Sequence, residues 1–274
     1  MQKGQKPGLA CRLLLPLLPL LSFMPTYRDQ GIVLRARPMK DDDRLYTVFT
    51  AGHGKVSLLA KGLRKTRSKM SPHMASFGVV DLMVARGKRI DRLAGAHLVS
   101  ANRDSMASLG KAALVQSFML AVDALTRWEL PEPRIFALLS ELMEVIEKGG
   151  DMEKGYRNMV FDTSVMRLMD ILGLGLEVDV CVICRRRLGP DDNGLDTLKG
   201  GIECAGCRTD ASHPIGGDTV KVLRFMRNEP LRCSPLLRMD EATRLQVAYI
   251  VEVLLTSHLE ARFDPLRYMA SVRV

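Results

Sequence analysis

Between Tyr27 and Ala101, apolar and polar residues alternate in short runs bounded by turn residues, the period-2 signature of strands. Gly31 to Arg37 (GIVLRAR) and Leu45 to Ala51 (LYTVFTA) flank the acidic stretch MKDDD. Gly52-His53-Gly54 reads as a turn, with His53 a simple turn residue, and Lys55 to Lys61 (KVSLLAK) as a third strand. After a basic loop come Phe77 to Ala85 (FGVVDLMVA), the turn Arg86-Gly87-Lys88, and Arg92 to Ala101 (RLAGAHLVSA). Five short strands predict a small closed barrel, and the five-stranded OB-fold is its commonest nucleic-acid-binding form. Periodicity alone does not separate the OB-fold from an SH3-like barrel.

From Met106 the period becomes helical. Ala113, Phe118, Leu120, Ala121, Leu125 and Trp128 fall on one side of a helix predicted to end at Pro131-Glu132-Pro133. Ile135 to Glu147 is a second helix, closed by Lys148-Gly149-Gly150, and Met159 to Leu174 a third. Thr219 to Arg227 and Glu241 to Glu260 are two more. The many methionines are simplest as core gap-fillers. With no internal repeat, these segments predict one helical bundle interrupted by a cysteine-containing module.

The composition, 47% apolar and 26% charged, is that of a globular protein. The net charge of +9 is unevenly spread: Met24 to Ser100 alone carries fifteen Lys or Arg against six Asp or Glu. A charge excess so localised points to a polyanion-binding module joined to a nearly neutral remainder. The opening MQKGQKPGLACRLLLPLLPLLSF has a positive start and an apolar run, as a secretory signal would. Pro16 and Pro19 interrupt the run, and Ser22-Phe23-Met24-Pro25 offers no cleavage site of small residues. An upstream-extended start or unstructured leader over residues 1–23 is the expectation. No other stretch is apolar for long enough to cross a membrane.

The spacing Cys181-x-x-Cys184 and Cys204-x-x-Cys207 falls in the range of a four-cysteine zinc site. A two-residue gap lets a tight turn aim two thiolates at one ion, and tetrahedral zinc needs two such turns facing each other. The intervening segment is turn-rich (Gly189-Pro190, Asn193-Gly194, Gly200-Gly201), as a ribbon hairpin should be. Disulfides would require export, and a redox pair would leave the second pair unexplained. Four thiolates leave no open position for water, so one structural Zn2+ is expected. A zinc nucleobase deaminase would need His-x-Glu upstream of Pro-Cys-x-x-Cys, and the one His-x-Glu, His258-Leu259-Glu260, lies downstream. Cys11 and Cys233 stand alone.

The densest positive run, KGLRKTRSK, contains Lys61, Arg64, Lys65, Arg67 and Lys69 and no acid. A second cluster, Arg86, Lys88, Arg89 and Arg92, sits at the fourth predicted hairpin. Two basic loops on a small barrel suit a nucleic-acid strand held through its phosphates. Stacking candidates are sparse: Tyr27, Tyr46, Phe49 and Phe77, at least half of them expected in the core. Asp41-Asp42-Asp43 reads as an acidic hairpin turn rather than a cation site. His213 could neighbour the cysteine module without being a ligand. There is no GxGxxG, no P-loop and no nucleophile elbow, and no enzyme activity is expected.

Taken together, YRDQGIVLRARPMKDDDRLYTVFTAGHGKVSLLAKGLRKTRSK (Tyr27 to Lys69) resembles the opening of the bacterial DNA repair protein RecO family. The shared order is a GIVLR strand, an acidic turn ending in DRL, a strand closing on threonine, and a HGK turn leading to AKG. DLMVARGKRIDRLAGAH (Asp81 to His97) resembles the last barrel hairpin, and EVLLTSHLEARFDPLRYM the family's C-terminal part more loosely. MKDDD stands where the family usually has Gly-Glu, and the segment before Met24 is also a departure. The resemblance implies a multidomain α+β fold: an N-terminal five-stranded OB-fold barrel (24–102), then an α-helical bundle (103–274) with an inserted four-cysteine zinc ribbon at about 178–212. It also implies a recombination mediator that binds single- and double-stranded DNA and anneals complementary strands. With its partner RecR, such a protein helps load RecA onto strands covered by single-strand-binding protein, whose acidic C-terminal tail docks on the helical domain.

Carried onto this chain, the metal role falls on Cys181, Cys184, Cys204 and Cys207. DNA contact falls on Arg35, Arg37, Lys55, Lys61, Arg64, Lys65, Arg67, Lys69, Arg86, Lys88 and Arg89, with Lys61, Arg64, Lys65, Arg67, Arg86 and Lys88 foremost. A cytoplasmic, nucleoid-associated protein is expected. The rival class is a zinc-ribbon accessory protein of transcription or translation, which would bind nucleic acid without annealing it.

Overall fold

In the computed structural model, which describes residues 26–40, 42–62, 70–75, 78–100, 108–150, 152–190 and 192–259, the alternating runs close into a barrel. Its strands are β1 (Thr26–Pro38), β2 (Arg44–Thr50), β3 (Gly54–Ala60), β4 (Val79–Ala85) and β5 (Asp91–Leu98). They hydrogen-bond in the order β1-β2-β3-β5-β4, and β4 pairs back onto β1. Placing β5 between β3 and β4 is a Greek-key departure from up-and-down order, and it gives the five-stranded OB-fold. The β3–β5 contact is parallel, with Leu58 opposite Asp91.

β1 starts five residues before the expected Gly31 because it serves two neighbours in turn. Thr26 to Ile32 pair with β4, Gly31 to Pro38 pair with β2, and a register shift between Val33 and Arg35 lets the strand bend around the barrel. Tyr46, Val48, Leu58, Val80, Leu82 and Val84 fill the barrel, and Met74, on the short helix α1 (Ser71–Ala75), joins them. Ile32, Leu34 and Phe49 belong instead to the core of the helical part. β2 is therefore buried on both faces, a pattern that alternation understates.

The helices are α2 (Leu109–Leu125), α3 (Pro133–Lys148), α4 (Lys154–Ile171), α5 (Gly217–Asn228) and α6 (Glu241–Thr256), with a 3-10 turn at Leu231–Leu236. α4 is central; Val160, Phe161, Val165, Met166, Leu168 and Met169 are all fully buried. Its buried positions run round the helix and include Asp162, Thr163 and Ser164. Its first turn, Lys154 to Asn158, is largely polar and not buried, so that turn carries no apolar period for a pattern-based reading. α2 ends at Leu125, short of the expected Pro131. Thr126 turns extended, and the chain crosses to the barrel, where the Glu129 N–H donates to the Lys55 carbonyl at 2.9 Å. Trp128 thus leaves the helix and bridges to β3. Gly54, at φ +66, leaves space for this crossing: a Cβ there would lie 2.2 Å from the Leu130 carbonyl oxygen.

Between α4 and α5 lies a three-stranded sheet of β6 (Asn193–Asp196), β7 (Gly201–Glu203) and β8 (His213–Ile215), with β6 in the middle and both pairings antiparallel. Among the described residues, no helix is long and apolar enough to cross a membrane.

Candidate metal centre and nucleic-acid interface

The first cysteine pair sits in a small backbone-tied loop. The Cys181 N–H donates to the Arg186 carbonyl at 2.8 Å and the Arg185 N–H returns to the Cys181 carbonyl at 2.9 Å. The second pair follows β7 and repeats the turn, with the Cys207 and Arg208 N–H groups both donating to the Cys204 carbonyl at 2.9 Å. Val182 N–H to Ile202 O, at 3.0 Å, docks the first loop on β7 and brings the pairs face to face. Gly201 is needed there, since a Cβ would meet the Glu177 carbonyl oxygen at 2.7 Å. Beside the cluster, the fully buried Glu203 is held by Lys199 at 2.6 Å and by the Ser212 hydroxyl, both of which lower its pKa.

One ligand atom from each of Cys181, Cys184, Cys204 and Cys207 lies within 4.8 Å of the others, and the Cys184 and Cys204 sulfurs are 3.7 Å apart. A tetrahedral thiolate centre with bonds of about 2.3 Å separates its sulfurs by about 3.8 Å. The four thiols thus lie close enough together to hold a metal ion. Their acidities diverge. Hydrogen bonds from the backbone and side chain of Arg186 bring Cys184 down to about 6, while hydrogen bonding to Cys184 and Cys204 pushes Cys207 up to about 12. Four such thiols ionise together only around a cation, and a divalent ion of thiolate preference suits this donor set. His213, a possible neighbour from the sequence, instead stacks on Tyr249 of α6 at 4.5 Å.

The barrel presents its basic residues unevenly. Lys61 is exposed just past the end of β3, and Arg86, Lys88, Arg89 and Arg92 are exposed around the β4–β5 hairpin. The parallel pairing places Arg92 opposite Leu59, two residues from Lys61. Arg37 is exposed near the end of β1. Arg64, Lys65, Arg67 and Lys69 lie outside the described residues, as do Phe77 and residues 1–23. Arg86 stands over the Tyr27 ring at 4.9 Å, and that ring also meets His53 at 4.1 Å. Burial and the neighbouring Asp91 push the Tyr27 hydroxyl up to about 12. Tyr46 and Phe49 are buried and cannot stack on a base.

Two expected DNA contacts, Lys55 and Arg35, pair with an acid of α2. Lys55 is 4% exposed, its ammonium 3.5 Å from Asp123 Oδ1 on α2 and 4.7 Å above the Trp128 ring. Arg35 meets the other oxygen of Asp123 at 3.0 Å. Lys55 is sealed against the helices, whereas Arg35 reaches the same acid with 39% of its side chain still exposed; the one buried acid of α2 requires partners. A lone Asp on the apolar face of that helix was the available signal. His53 is also more than a turn residue, since Asp29 holds its Nδ1 at 2.6 Å. Asp43 secures the acidic turn by accepting from the Gly62 N–H at 2.8 Å.

Two family models match the chain: one described as Recombination protein O N terminal over residues 24–102, the other as Recombination protein O C terminal over residues 106–266. The DNA repair protein RecO of Frankia casuarinae is 29% identical over 250 residues, covering 90% of this chain and 99% of the relative. That of Rubrobacter xylanophilus is 30% identical over 211 residues, 76% of this chain and 83% of the relative. That of Cutibacterium acnes is 31% identical over 207 residues, 74% and 82% respectively.

Proposed function

The chain belongs to the RecO family, and from that membership we propose that it is a DNA repair and recombination mediator that binds single- and double-stranded DNA and anneals complementary strands. The observation that carries this reading is the OB-fold with its exposed basic edge: Lys61, Arg86, Lys88, Arg89 and Arg92. Annealing requires no bond chemistry. Two strands repel through their phosphates, and a face of fixed cations screens that repulsion, displaces counterions and lets base pairing supply the driving force. Among the described residues of the barrel, the scarcity of exposed aromatic side chains favours backbone contact over sequence readout.

Cys181, Cys184, Cys204 and Cys207 would hold one Zn2+, which supplies a tetrahedral cross-link with no open position. The four thiolates would staple the two cysteine turns and so order the ribbon between α4 and α5. Carried over from the family, the partners are RecR, the acidic tail of single-strand-binding protein and, indirectly, RecA.

The test is annealing of complementary oligonucleotides precoated with single-strand-binding protein, followed by fluorescence quenching at two salt concentrations. The protein should accelerate annealing, and the acceleration should fade at high salt. In the variant carrying Lys61→Gln, Arg86→Gln and Lys88→Gln, the salt slope of single-strand binding should fall by about 2, at roughly 0.7 per lost phosphate contact. Binding without annealing would move the assignment to an accessory nucleic-acid-binding protein. An unchanged slope would remove the barrel edge from the contact.

A further inference from the structure

We propose that the cysteine ribbon carries a second phosphate-binding face, made by Arg185, Arg187 and Arg208, which takes the backbone of one nucleic-acid strand while the barrel holds another; this rests on the DNA-binding reading above. Arg185 and Arg208 occupy equivalent places. Each follows the second cysteine of its pair, and each donates its N–H to the carbonyl of the first, Cys181 or Cys204, at 2.9 Å. Because ligand atoms of the four cysteines lie within 4.8 Å of one another, the fold brings together the two turns that carry these arginines.

The backbone at Arg185 has φ 60, in the left-handed region that glycine enters without steric cost. A long cationic side chain therefore stands where the turn alone would favour Gly. Nearby acids are already engaged: Asp196 and Glu203 by Lys199, and Asp179 by Arg224 and Arg227. Arg186 is tied to the cluster through its hydrogen bond to the Cys184 sulfur. Arg185, Arg187 and Arg208 are exposed and form no ion pair among the described residues, while Asp192 and Asp210 remain as exposed acids of the ribbon. Neither cysteine turn has an aromatic residue to stack a base, and Ile183 is the exposed apolar side chain of the first. Guanidinium forks without a stacking platform suit phosphates rather than bases. With the barrel edge, the chain would hold two strands on two cationic faces, as annealing requires.

The experiment compares the zinc-loaded full chain with its Arg185→Gln, Arg187→Gln, Arg208→Gln variant in duplex-oligonucleotide binding between 50 and 200 mM salt. Zinc content is measured on both, and strand annealing alongside. The slope of log K against log salt should fall by about 2–3, at roughly 0.9 per phosphate contact, with annealing slowed and zinc retained. An unchanged slope in a zinc-retaining variant overturns the ribbon face and leaves the barrel reading intact. A wild-type chain that binds no DNA overturns both. Should the triple variant release its zinc, Arg185→Gly decides, because glycine suits the left-handed backbone and only the charge is lost. A slope lower by about 1 then supports the ribbon face, and an unchanged slope rejects it.

Discussion

At the C-terminal end of α4, Asp170 places Oδ2 in the interior without a hydrogen-bond partner among the described residues. Desolvation raises its pKa from 3.8 to about 6, against the pull of Arg227 and Arg167. A folded-state pKa above the unfolded one means that the folded protein holds the proton more tightly. The contribution to stability is complete below about 3.8 and is lost as pH rises through about 6. Asp170→Asn removes this ionisation. Relative to wild type, the variant should gain stability progressively between pH 4 and 6 and keep a constant advantage above, as read from urea midpoints across pH. Parallel midpoint curves would show that the carboxyl is solvated. The same residue crowds Gly175, where a Cβ would lie 1.7 Å from Asp170 Oδ1, so the bend after α4 and the buried acid constrain each other.

The ribbon illustrates how an element too small for a core of its own is held. β6, β7 and β8 have four, three and three residues, and a few apolar side chains, Leu195, Ile202 and Ile215, attach them to the helical core. A metal cross-link between the two cysteine turns would supply the order that packing alone does not. Cys204→Ser should weaken zinc retention by more than the ~10–100-fold typical of losing an outer-shell partner, and it should raise amide exchange in β6 and β7. Wild-type zinc content and exchange in that variant would contradict the four-ligand assignment. β1 makes the complementary point: one long strand serves two neighbours through a register shift, so its length is set by pairing rather than by its own pattern.

Across the whole molecule, the barrel and the helices meet at Lys55, Asp123, Arg35 and Trp128. Desolvation lowers the Lys55 pKa while Asp123 opposes the shift, as expected of a cation sealed between two layers. Lys55→Met should lower stability by about 2–3 kcal/mol, below the usual cost of breaking a buried pair because Arg35 still reaches Asp123. It should leave the salt slope of DNA binding unchanged, and a reduced slope would return Lys55 to the DNA contact. Much of this protein was legible in the sequence. Strand alternation, helical periodicity and the spacing of Cys181, Cys184, Cys204 and Cys207 are local signals, because each depends on which face of an element a side chain occupies or on how far a turn can reach. The exposed cations of the β4–β5 hairpin were legible for the same reason. What only the tertiary structure decided is long-range: the strand order that separates an OB-fold from other small barrels, the end of α2 at Leu125, and the diversion of Lys55 and Arg35 to Asp123. Each of these depends on which residues meet across many intervening positions: backbone pairing decides the strand order and the path after α2, and the burial of Asp123 decides where Lys55 and Arg35 reach.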